Sequence, residues 1–300
     1  MLNNQALQMN ENESSLVRRG RLSSYMQIAK PRISSMVLFT IWAGSVASGW
    51  ASAHWEWLHA MIGTLLVAAS GSAVNQYLER YTDYFMKRTS QRPLPGGSLS
   101  APEVAAFAAV TFGVGVAYLL ATVHPVATGI CVTTWVLYSF IYTLSKPLTV
   151  WNTFIGAFPG AMPVLIGAAA FDGVIQPLSW ILFLILFWWQ FPHFMAIAWK
   201  YRQDYEKGGL KMITVTDPTG RVAGLISVGV SVTLLLTSLI AVVWLSNPVI
   251  YAIASLFLGG AYVWYSWKFY QVRDERTARP LLLSSLVYLP LQMIALLCCI

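Results

Sequence analysis

Long apolar runs recur along the whole chain and are separated by short polar segments. Each run is about 20 residues long, which is the length that a helix needs to cross the hydrocarbon core of a bilayer. Because backbone groups in lipid must be paired within the protein, this pattern predicts an all-α, multi-pass membrane bundle. The nine predicted spans cover residues 33–53, 57–78, 102–122, 125–144, 150–170, 176–199, 222–245, 248–270 and 280–299.

The positive charges predict how the bundle is oriented in the membrane. All 19 Lys and Arg residues lie in the N-terminal segment or in alternate loops, so they fall on one side of the predicted bundle. Basic loops stay on the cytoplasmic side, which places the N-terminus in the cytoplasm and the C-terminus outside. Topology therefore explains the net charge of +7, and we expect membrane lipid but no nucleic acid as a partner.

The polar residues define the domain organisation and the expected location. We expect one transmembrane domain over residues 29–300, preceded by a flexible cytoplasmic tail over 1–28, with two longer cytoplasmic loops at about 79–101 and 200–221. The N-terminal segment has neither an apolar core nor a convincing transit peptide, which favours a bacterial cytoplasmic (inner) membrane. Because the outer loops are very short, the protein is expected to work at its cytoplasmic face.

Three oxygen-bearing side chains at the end of the second span are candidates for a metal site. Asn75, Glu79 and Asp83 are spaced four residues apart, so they share one face of a helix. Asp83, and Asp204 after the sixth span, are expected near helix C-termini, where an anion is disfavoured by roughly 0.3–1 kcal/mol. A bound Mg²⁺ would reverse that penalty and could bridge to a phosphate group. The alternative is an ordinary polar helix end.

Basic side chains accompany these acids on the predicted cytoplasmic side. They are Lys87, Arg88, Arg92, Lys146, Lys200 and Arg202. Arg makes paired N–H contacts to phosphate and Lys acts as a point charge, so these residues are interpreted as diphosphate contacts or as anchors that set the topology. His193, inside the sixth span, is interpreted as a packed histidine or as a substrate contact.

The motif residues resemble the UbiA superfamily of intramembrane prenyltransferases. Its first signature is matched by Asn75, Glu79, Asp83, Met86, Arg88, Thr89 and Arg92. Four further stretches resemble the branch of the superfamily that farnesylates haem. They are Lys30-Pro31-Arg32; Asn152 with Ile155-Gly156-Ala157 and Pro163; Trp189-Gln190-Phe191-Pro192-His193-Phe194; and Asp204-Tyr205 with Gly208-Gly209 and Met212. The second cluster carries a single acid, Asp204, four residues after Lys200, which also favours this branch.

The resemblance implies a Mg²⁺-dependent transfer of the farnesyl group from farnesyl diphosphate to a vinyl group of haem B, with water addition. Its metal ligands would be Asp83, Glu79, Asn75 and Asp204, which with Lys200 form the catalytic set. The diphosphate contacts would be Lys87, Arg88, Arg92, Lys146 and Arg202. The haem contacts would be His193, Gln190 and Tyr205. Haem A synthase or a terminal oxidase are the implied assembly partners.

Three other functions are compatible with parts of the pattern. A related prenyltransferase could act on an aromatic or quinone precursor, although the single acid of the second cluster argues against it. An anion transporter would need a polar path across the bilayer, whereas the charged residues stop at one face. A haem-binding assembly factor without catalytic activity would leave farnesyl diphosphate intact.

Overall fold

The structure is a computed structural model that describes residues 20–49 and 54–300, apart from the side chains of Arg32 and Ile33. The described chain is helical and contains no β-strand. Seven of its helices are long and apolar enough to cross a membrane. They are α3 (Glu56–Phe85), α4 (Ala101–Thr122), α5 (Pro125–Ser145), α8 (Pro177–Lys200), α11 (Arg221–Trp244), α12 (Pro248–Val272) and α13 (Glu275–Leu297).

Two shorter apolar segments coincide with the remaining predicted spans. The first is α2 (Pro31–Ala47), and the second is the pair α6 (Asn152–Ala161) and α7 (Pro163–Ala168). Residues 50–53, at the end of the first predicted span, lie outside the described part of the chain. The helical, multi-pass architecture is thus confirmed, while the count of nine spans and the orientation stay predictions.

A helix occupies part of the segment that was predicted to be a flexible tail. Residues 1–19 of that tail lie outside the described chain, but α1 (Arg21–Ala29) follows them. Its Ile28 is fully buried among α3 and α4 side chains, and Arg21 pairs with Glu103 at 3.2 Å. The last residues of the expected tail thus belong to a helix that has its own apolar contacts, while the boundary between tail and domain stays a prediction.

Close backbone approaches and a central helix hold the bundle together. Gly44 of α2 faces the carbonyl of Val164, and Gly167 of α7 faces the carbonyl of Ile41, so a Cβ at either glycine would overlap the opposite backbone. Such small residues let membrane helices pack closely. In the second half of the chain, α8 packs against α6, α11 and α13, and its Ile185 is fully buried.

Regular α geometry is interrupted between α6 and α7 and within α5. The break between α6 and α7 falls at Pro163, which has no N–H to continue the hydrogen-bond ladder. In α5, residues Leu137–Tyr142 form a π-helical turn, a rare feature that often marks functional sites. The break at Pro163 interrupts the fifth predicted span, and the π turn of α5 has no counterpart in the predictions.

The loops at one end of the bundle are joined to each other, and this end is called the charged end below. The loop after α8 contains two short helices, α9 (Arg202–Lys207) and α10 (Ile213–Thr216). Between them, the Lys211 N–H donates to the carbonyl of Lys146 at 2.9 Å. Asn152 Nδ2 in turn donates to the carbonyl of Lys211 at 2.8 Å. These bonds bring the segments after α5 and α8 together.

Candidate functional site

The three predicted oxygen ligands lie on one buried face of α3. The exposed fractions are 2% for Asn75, 9% for Glu79 and 0% for Asp83. All three belong to a single uninterrupted helix of 30 residues, so the spacing of four residues aligns them. The sequence-based prediction of a shared face therefore matches the geometry of the charged end.

Both acids of this face are paired with partly buried cations. Arg92 Nη1 lies 2.6 Å from Asp83 Oδ2 and 3.7 Å from Glu79 Oε2. Lys146 Nζ lies 2.6 Å from Glu79 Oε1. Two acids and two cations thus alternate in the order Lys146, Glu79, Arg92, Asp83, and their charges balance. We call this set the ion-pair row.

The chain after α3 folds back so that Arg92 reaches this face. Thr89, which is 1% exposed, donates from Oγ1 to the carbonyl of Asp83 at 3.1 Å. The same carbonyl also accepts from the Met86 N–H at 3.3 Å, so two hydrogen bonds close the end of α3. The Thr89 N–H donates to Met86 and the Arg92 N–H to Thr89, which continues the turn toward the ion-pair row.

The oxygens of this face fit a hard cation that is shared with a phosphate ligand. Asp83 Oδ1 is buried and has no hydrogen-bond partner among the described residues, which is costly for an ionised oxygen. Asn75 uses its Nδ2 to bond Thr143 and keeps its amide oxygen as an acceptor. The described chain holds no group of three or more His, Cys, Asp and Glu residues around one point. Mg²⁺ does not require such a group, because it typically binds through one or two carboxylates together with water and substrate oxygens.

Asp204 lies at the rim of the charged end and differs from its predicted setting. Its Oδ2 accepts from the backbone N–H of Arg88 at 3.3 Å, so it connects the two loops. It stands in the first turn of α9 rather than near the C-terminus of α8. The expected helix-end penalty therefore does not apply to Asp204, because the chain turns at Tyr201 and starts a new helix. Asp83 lies two residues before the end of α3, so its expected position near a helix C-terminus is confirmed.

The remaining predicted cations occupy different places. The Arg88 guanidinium lies over the rings of Tyr201 and Tyr205, at 5.4 and 5.8 Å from their centroids. Lys200 is exposed and lies 5.1 Å from the Tyr201 ring. Arg202 lies over the Trp199 ring at 4.5 Å and donates to the Trp199 carbonyl. Lys87 is exposed, and its ammonium group makes no ion pair or hydrogen bond within the described chain. The structure thus gathers Arg92 and Lys146 but leaves Lys87 and Arg202 apart from the row.

The structure adds Lys30 to the charged end. Its Nζ lies 3.5 Å from the Tyr138 hydroxyl, and its backbone is left-handed with φ of 50°. Burial, together with the positive charges of Arg92 and Lys146, lowers the pKa of Lys30 to about 7. Lys30 stands in a stretch that carried the resemblance, and a cation immediately before the first span was the signal that could have identified it.

Tyrosine rings of α5 line the same region. The rings of Tyr138 and Tyr142 stack with centroids 5.8 Å apart, and Lys146 Nζ lies 4.4 Å from the Tyr142 ring. The Tyr142 ring also packs against Gly156 of α6, where a Cβ would come within 2.6 Å of it. A spacing of four residues between Tyr142 and Lys146 was the available sequence signal for this contact.

The predicted haem contacts lie in three different environments. His193 Nδ1 lies 2.7 Å from Ser285 Oγ of α13, and its ring stacks on Trp189. Gln190 is 5% exposed and donates to the carbonyls of Ala157 and Leu186, so it joins α8 to α6. Tyr205 lies at the charged end beside Arg88. Only His193 and Tyr205 therefore combine partial exposure with a polar group.

The sequence profile of the UbiA prenyltransferase family matches residues 36–287. The chain belongs to the UbiA prenyltransferase family. The family assignment confirms the resemblance and makes the chain a multi-pass membrane protein of a prenyltransferase family. The matched region contains the whole ion-pair row, both loops and Ser285, and it begins after Lys30.

Several curated members of this family are similar over nearly the whole chain. The protoheme IX farnesyltransferase of Solibacter usitatus is 37% identical over 283 residues, which cover 90% of this chain and 96% of that protein. The protein of the same name from Opitutus terrae is 38% identical over 90% of this chain and 92% of its own length. The mitochondrial protoheme IX farnesyltransferase of Arabidopsis thaliana is 35% identical over 91% of this chain and 64% of its own length.

Solved structures of the family share the fold at low sequence identity. A structure of digeranylgeranylglyceryl phosphate synthase superposes with a TM-score of 0.77 at 16% identity, covering 93% of this chain and 98% of that one. A UbiA homologue from Archaeoglobus fulgidus, bound to GPP and Mg²⁺, has a TM-score of 0.58 at 13% identity, covering 91% and 99%. These likenesses establish the UbiA fold for the chain.

Proposed function

We propose that this protein transfers the farnesyl group of farnesyl diphosphate to a vinyl group of haem B, with addition of water, giving haem O and diphosphate. The observation that carries the proposal is the ion-pair row, because it combines partly buried cations for a diphosphate with a carboxylate oxygen that has no hydrogen-bond partner among the described residues and could bind a metal. The names and near full-length similarity of the protoheme IX farnesyltransferases support the choice of acceptor.

In this proposal Asp83, Glu79 and Asn75 would hold Mg²⁺ at the buried face of α3, and Asp204, which lies at the rim in this structure, would have to approach the metal from the facing loop. When bound, the metal neutralises charge on the departing diphosphate and so assists cleavage of the allylic C–O bond. Asn75 contributes its free amide oxygen, since its amide nitrogen is already committed to Thr143. Asp204 joins from the facing loop, where its carboxylate now accepts a single backbone N–H bond.

Binding of the diphosphate would exchange partners within the ion-pair row. Arg92 and Lys146 turn from the acids to the diphosphate oxygens, and the released oxygens of Asp83 and Glu79 become available to the metal. Lys30 faces the same region and adds a third cation that has no carboxylate of its own within salt-bridge distance among the described residues. Arg88 contacts the diphosphate from the loop, while Lys87, Lys200 and Arg202 act from the rim.

Bond cleavage leaves an allylic cation on the farnesyl group and the electron pair on diphosphate. The π electrons of the haem vinyl group then form the new C–C bond, and water adds to the resulting cation with loss of a proton. Tyr142 is our candidate for stabilising the allylic cation, because the ring face that Lys146 now occupies would become available once Lys146 turns to the diphosphate. Enclosing the cation until C–C bond formation requires that bulk water be excluded.

His193 is our candidate for contacting haem. Ser285 Oγ donates its single hydrogen to the Leu282 carbonyl at 2.6 Å. In this proposal His193 Nδ1 donates to Ser285, which leaves Nε2 with a free lone pair. This tautomer is the one that can bind iron through Nε2. Tyr205 would contact haem from the loop, and Gln190 would act by fixing α8 against α6.

The proposal is tested by supplying membranes that contain the chain with haem B, farnesyl diphosphate and Mg²⁺. We expect the mass of the extracted haem to shift from haem B to haem O. A parallel reaction with 4-hydroxybenzoate tests the aromatic acceptor, and its prenylation without any haem O would overturn the proposal. Haem binding or solute uptake with intact farnesyl diphosphate would indicate the assembly factor or the transporter instead.

We also propose a membrane location and partner proteins for this chain. We place the single domain, residues 29–300, in the bacterial cytoplasmic membrane with the charged end toward the cytoplasm, as the basic loops predict. Reporter fusions after Gly97 and after the C-terminus should report opposite sides. Haem A synthase or a terminal oxidase would receive the product, and co-purification from native membranes tests either partner.

A further inference from the structure

The π-helical turn of α5 determines which residue bonds the carbonyl of Tyr138. In a regular α-helix that carbonyl would accept from residue 142. In the π turn it accepts from the N–H of Thr143, and the Thr143 hydroxyl donates to it as well, at 2.8 Å. Thr143 is 3% exposed, so this arrangement is buried within the bundle.

The hydroxyl of Thr143 also contacts the metal-site amide of Asn75. Asn75 Nδ2 donates to Thr143 Oγ1 at 3.0 Å. A threonine hydroxyl has one hydrogen, and here that hydrogen is already given to the carbonyl of Tyr138. Toward Asn75 the hydroxyl can therefore only accept, and only the NH₂ group of the amide can face it.

The direction of these two bonds fixes the orientation of the Asn75 amide. With its nitrogen bound to Thr143, the amide oxygen is the atom left for the shared face of Asn75, Glu79 and Asp83. If the amide rotated by half a turn, it would present N–H groups to a cation, and its oxygen would face a hydroxyl that has no hydrogen to give. Both changes oppose metal binding.

We propose that Thr143 is a positioning residue that holds the amide oxygen of Asn75 toward the Mg²⁺ of the site, through the bond direction set by the π turn. This inference rests on the proposed Mg²⁺-dependent farnesyl transfer. Thr143 contacts neither metal nor substrate, and its effect passes through Asn75. Partners of this kind typically change metal affinity by about 10- to 100-fold when they are removed.

The test compares Thr143→Val, which removes the hydroxyl at constant shape, with Thr143→Ser, which retains it. Mg²⁺ binding is measured by calorimetry in the presence of farnesyl thiodiphosphate, an unreactive analogue. We expect Thr143→Val to raise the Mg²⁺ concentration for half-saturation at least about tenfold, and Thr143→Ser to stay close to the wild type. Thr134→Val is the matched control, because Thr134 lies on the same helix and donates to the Ile130 carbonyl at 2.7 Å.

A double-mutant cycle with Asn75→Asp separates amide orientation from a general packing effect. A carboxylate presents an oxygen in either orientation, so in that background Thr143→Val should no longer weaken Mg²⁺ binding. Equal weakening in both backgrounds, or wild-type Mg²⁺ binding by Thr143→Val, would overturn the inference. Thermal unfolding of each variant establishes that it is folded.

These outcomes differ from those that bear on the proposed function. Failure of the wild-type chain to make haem O, with normal Mg²⁺-dependent binding of the analogue, would contradict the acceptor and leave the role of Thr143 intact. Loss of coupling between Thr143 and Asn75 in a chain that does make haem O would contradict only the positioning role.

Discussion

The guanidinium of Arg92 holds one oxygen of Asp83 at 2.6 Å, while the other oxygen of Asp83 is buried and makes no hydrogen bond within the described chain. One carboxylate thus meets a cation on one side and lacks a partner on the other. Because Arg92 also lies 3.7 Å from Glu79, its charge is shared between the two acids. A metal ion that enters alone has to compete with that shared charge.

The first prediction concerns the coupling of metal and diphosphate. We expect Mg²⁺ alone and farnesyl thiodiphosphate alone to bind weakly, and each to bind at least about tenfold more tightly when the other is present. The reason is that the diphosphate withdraws Arg92 and Lys146 from the acids. Calorimetric titrations in both orders measure the effect, and equally tight Mg²⁺ binding with and without the analogue would contradict it.

The second prediction concerns Asp83→Asn. We expect a fall in kcat of about 100-fold or more, since charge stabilisation at the leaving group is lost. The fold should persist, because Arg92 keeps Glu79 as a partner after the change. Haem O formation and thermal unfolding are measured together. Asp172→Asn is the matched control, as Asp172 lies in the loop after α7 and accepts from the Val174 N–H, with no ion pair among the described residues. Near-normal turnover by Asp83→Asn would contradict the metal assignment.

The third prediction concerns pH. The pKa of Lys30 is lowered from its ordinary value of 10.5 to about 7 by burial, then by Arg92 and Lys146, while Glu79 and Asp83 act in the opposite direction. A bound diphosphate favours the protonated amine and raises this pKa. Between pH 7 and 10.5, binding should therefore take up as much as about one proton, and affinity should fall as the pH rises.

The lowered pKa of Lys30 also affects the stability of the free protein, which should change with pH in the direction opposite to the binding affinity. The unfolded chain holds the Lys30 proton more strongly than the folded chain, so the free energy of unfolding should rise with pH across this window.

Calorimetry of analogue binding at pH 8 in two buffers of different ionisation enthalpy measures the proton uptake on binding. Lys30→Met should abolish that uptake; if it leaves the uptake unchanged, another group is responsible.

The fourth prediction concerns the contact between Gly156 and Tyr142. A Cβ at residue 156 would lie 2.6 Å from Tyr142 Cε2, so Gly156→Ala must displace the ring from Lys146. We expect a loss of about 1–3 kcal/mol in the free energy of unfolding, together with a lower kcat. Gly129→Ala is the control on α5, where a Cβ meets nothing within 4 Å. Equal kcat values and equal free energies of unfolding for the two variants would contradict the role proposed for Tyr142.

Helical periodicity was sufficient to predict the shared face of Asn75, Glu79 and Asp83, since both the spacing and the helix are local properties of α3. The multi-pass helical architecture followed in the same way from the lengths of the apolar runs. The cations that pair with these acids were harder to predict from the sequence, because their positions depend on where separate loops fold back. Arg92 and Lys146 reach the row, whereas Arg202 packs on Trp199.

The sequence patterns did not predict the departures from regular helix geometry. The π turn of α5 changes which residue bonds the Tyr138 carbonyl, and no spacing of apolar residues signals it. Likewise, the apolar contacts of α1 come from residues distant in sequence, so a short polar segment was interpreted as a tail. Asp204 was assigned to the wrong helix end because a turn at Tyr201 starts a new helix.

The length of α3 has a consequence for how substrates would arrive. Its 30 residues span about 45 Å, compared with a hydrocarbon core of about 30 Å. Asn75 therefore lies near the level where acyl chains give way to headgroups, and Asp83 lies roughly 12 Å farther along. An amphiphile such as farnesyl diphosphate rests at this depth, its tail among the acyl chains and its charge in the water layer. It could enter sideways from the leaflet and release diphosphate into the water at the charged end without its charged group ever crossing lipid.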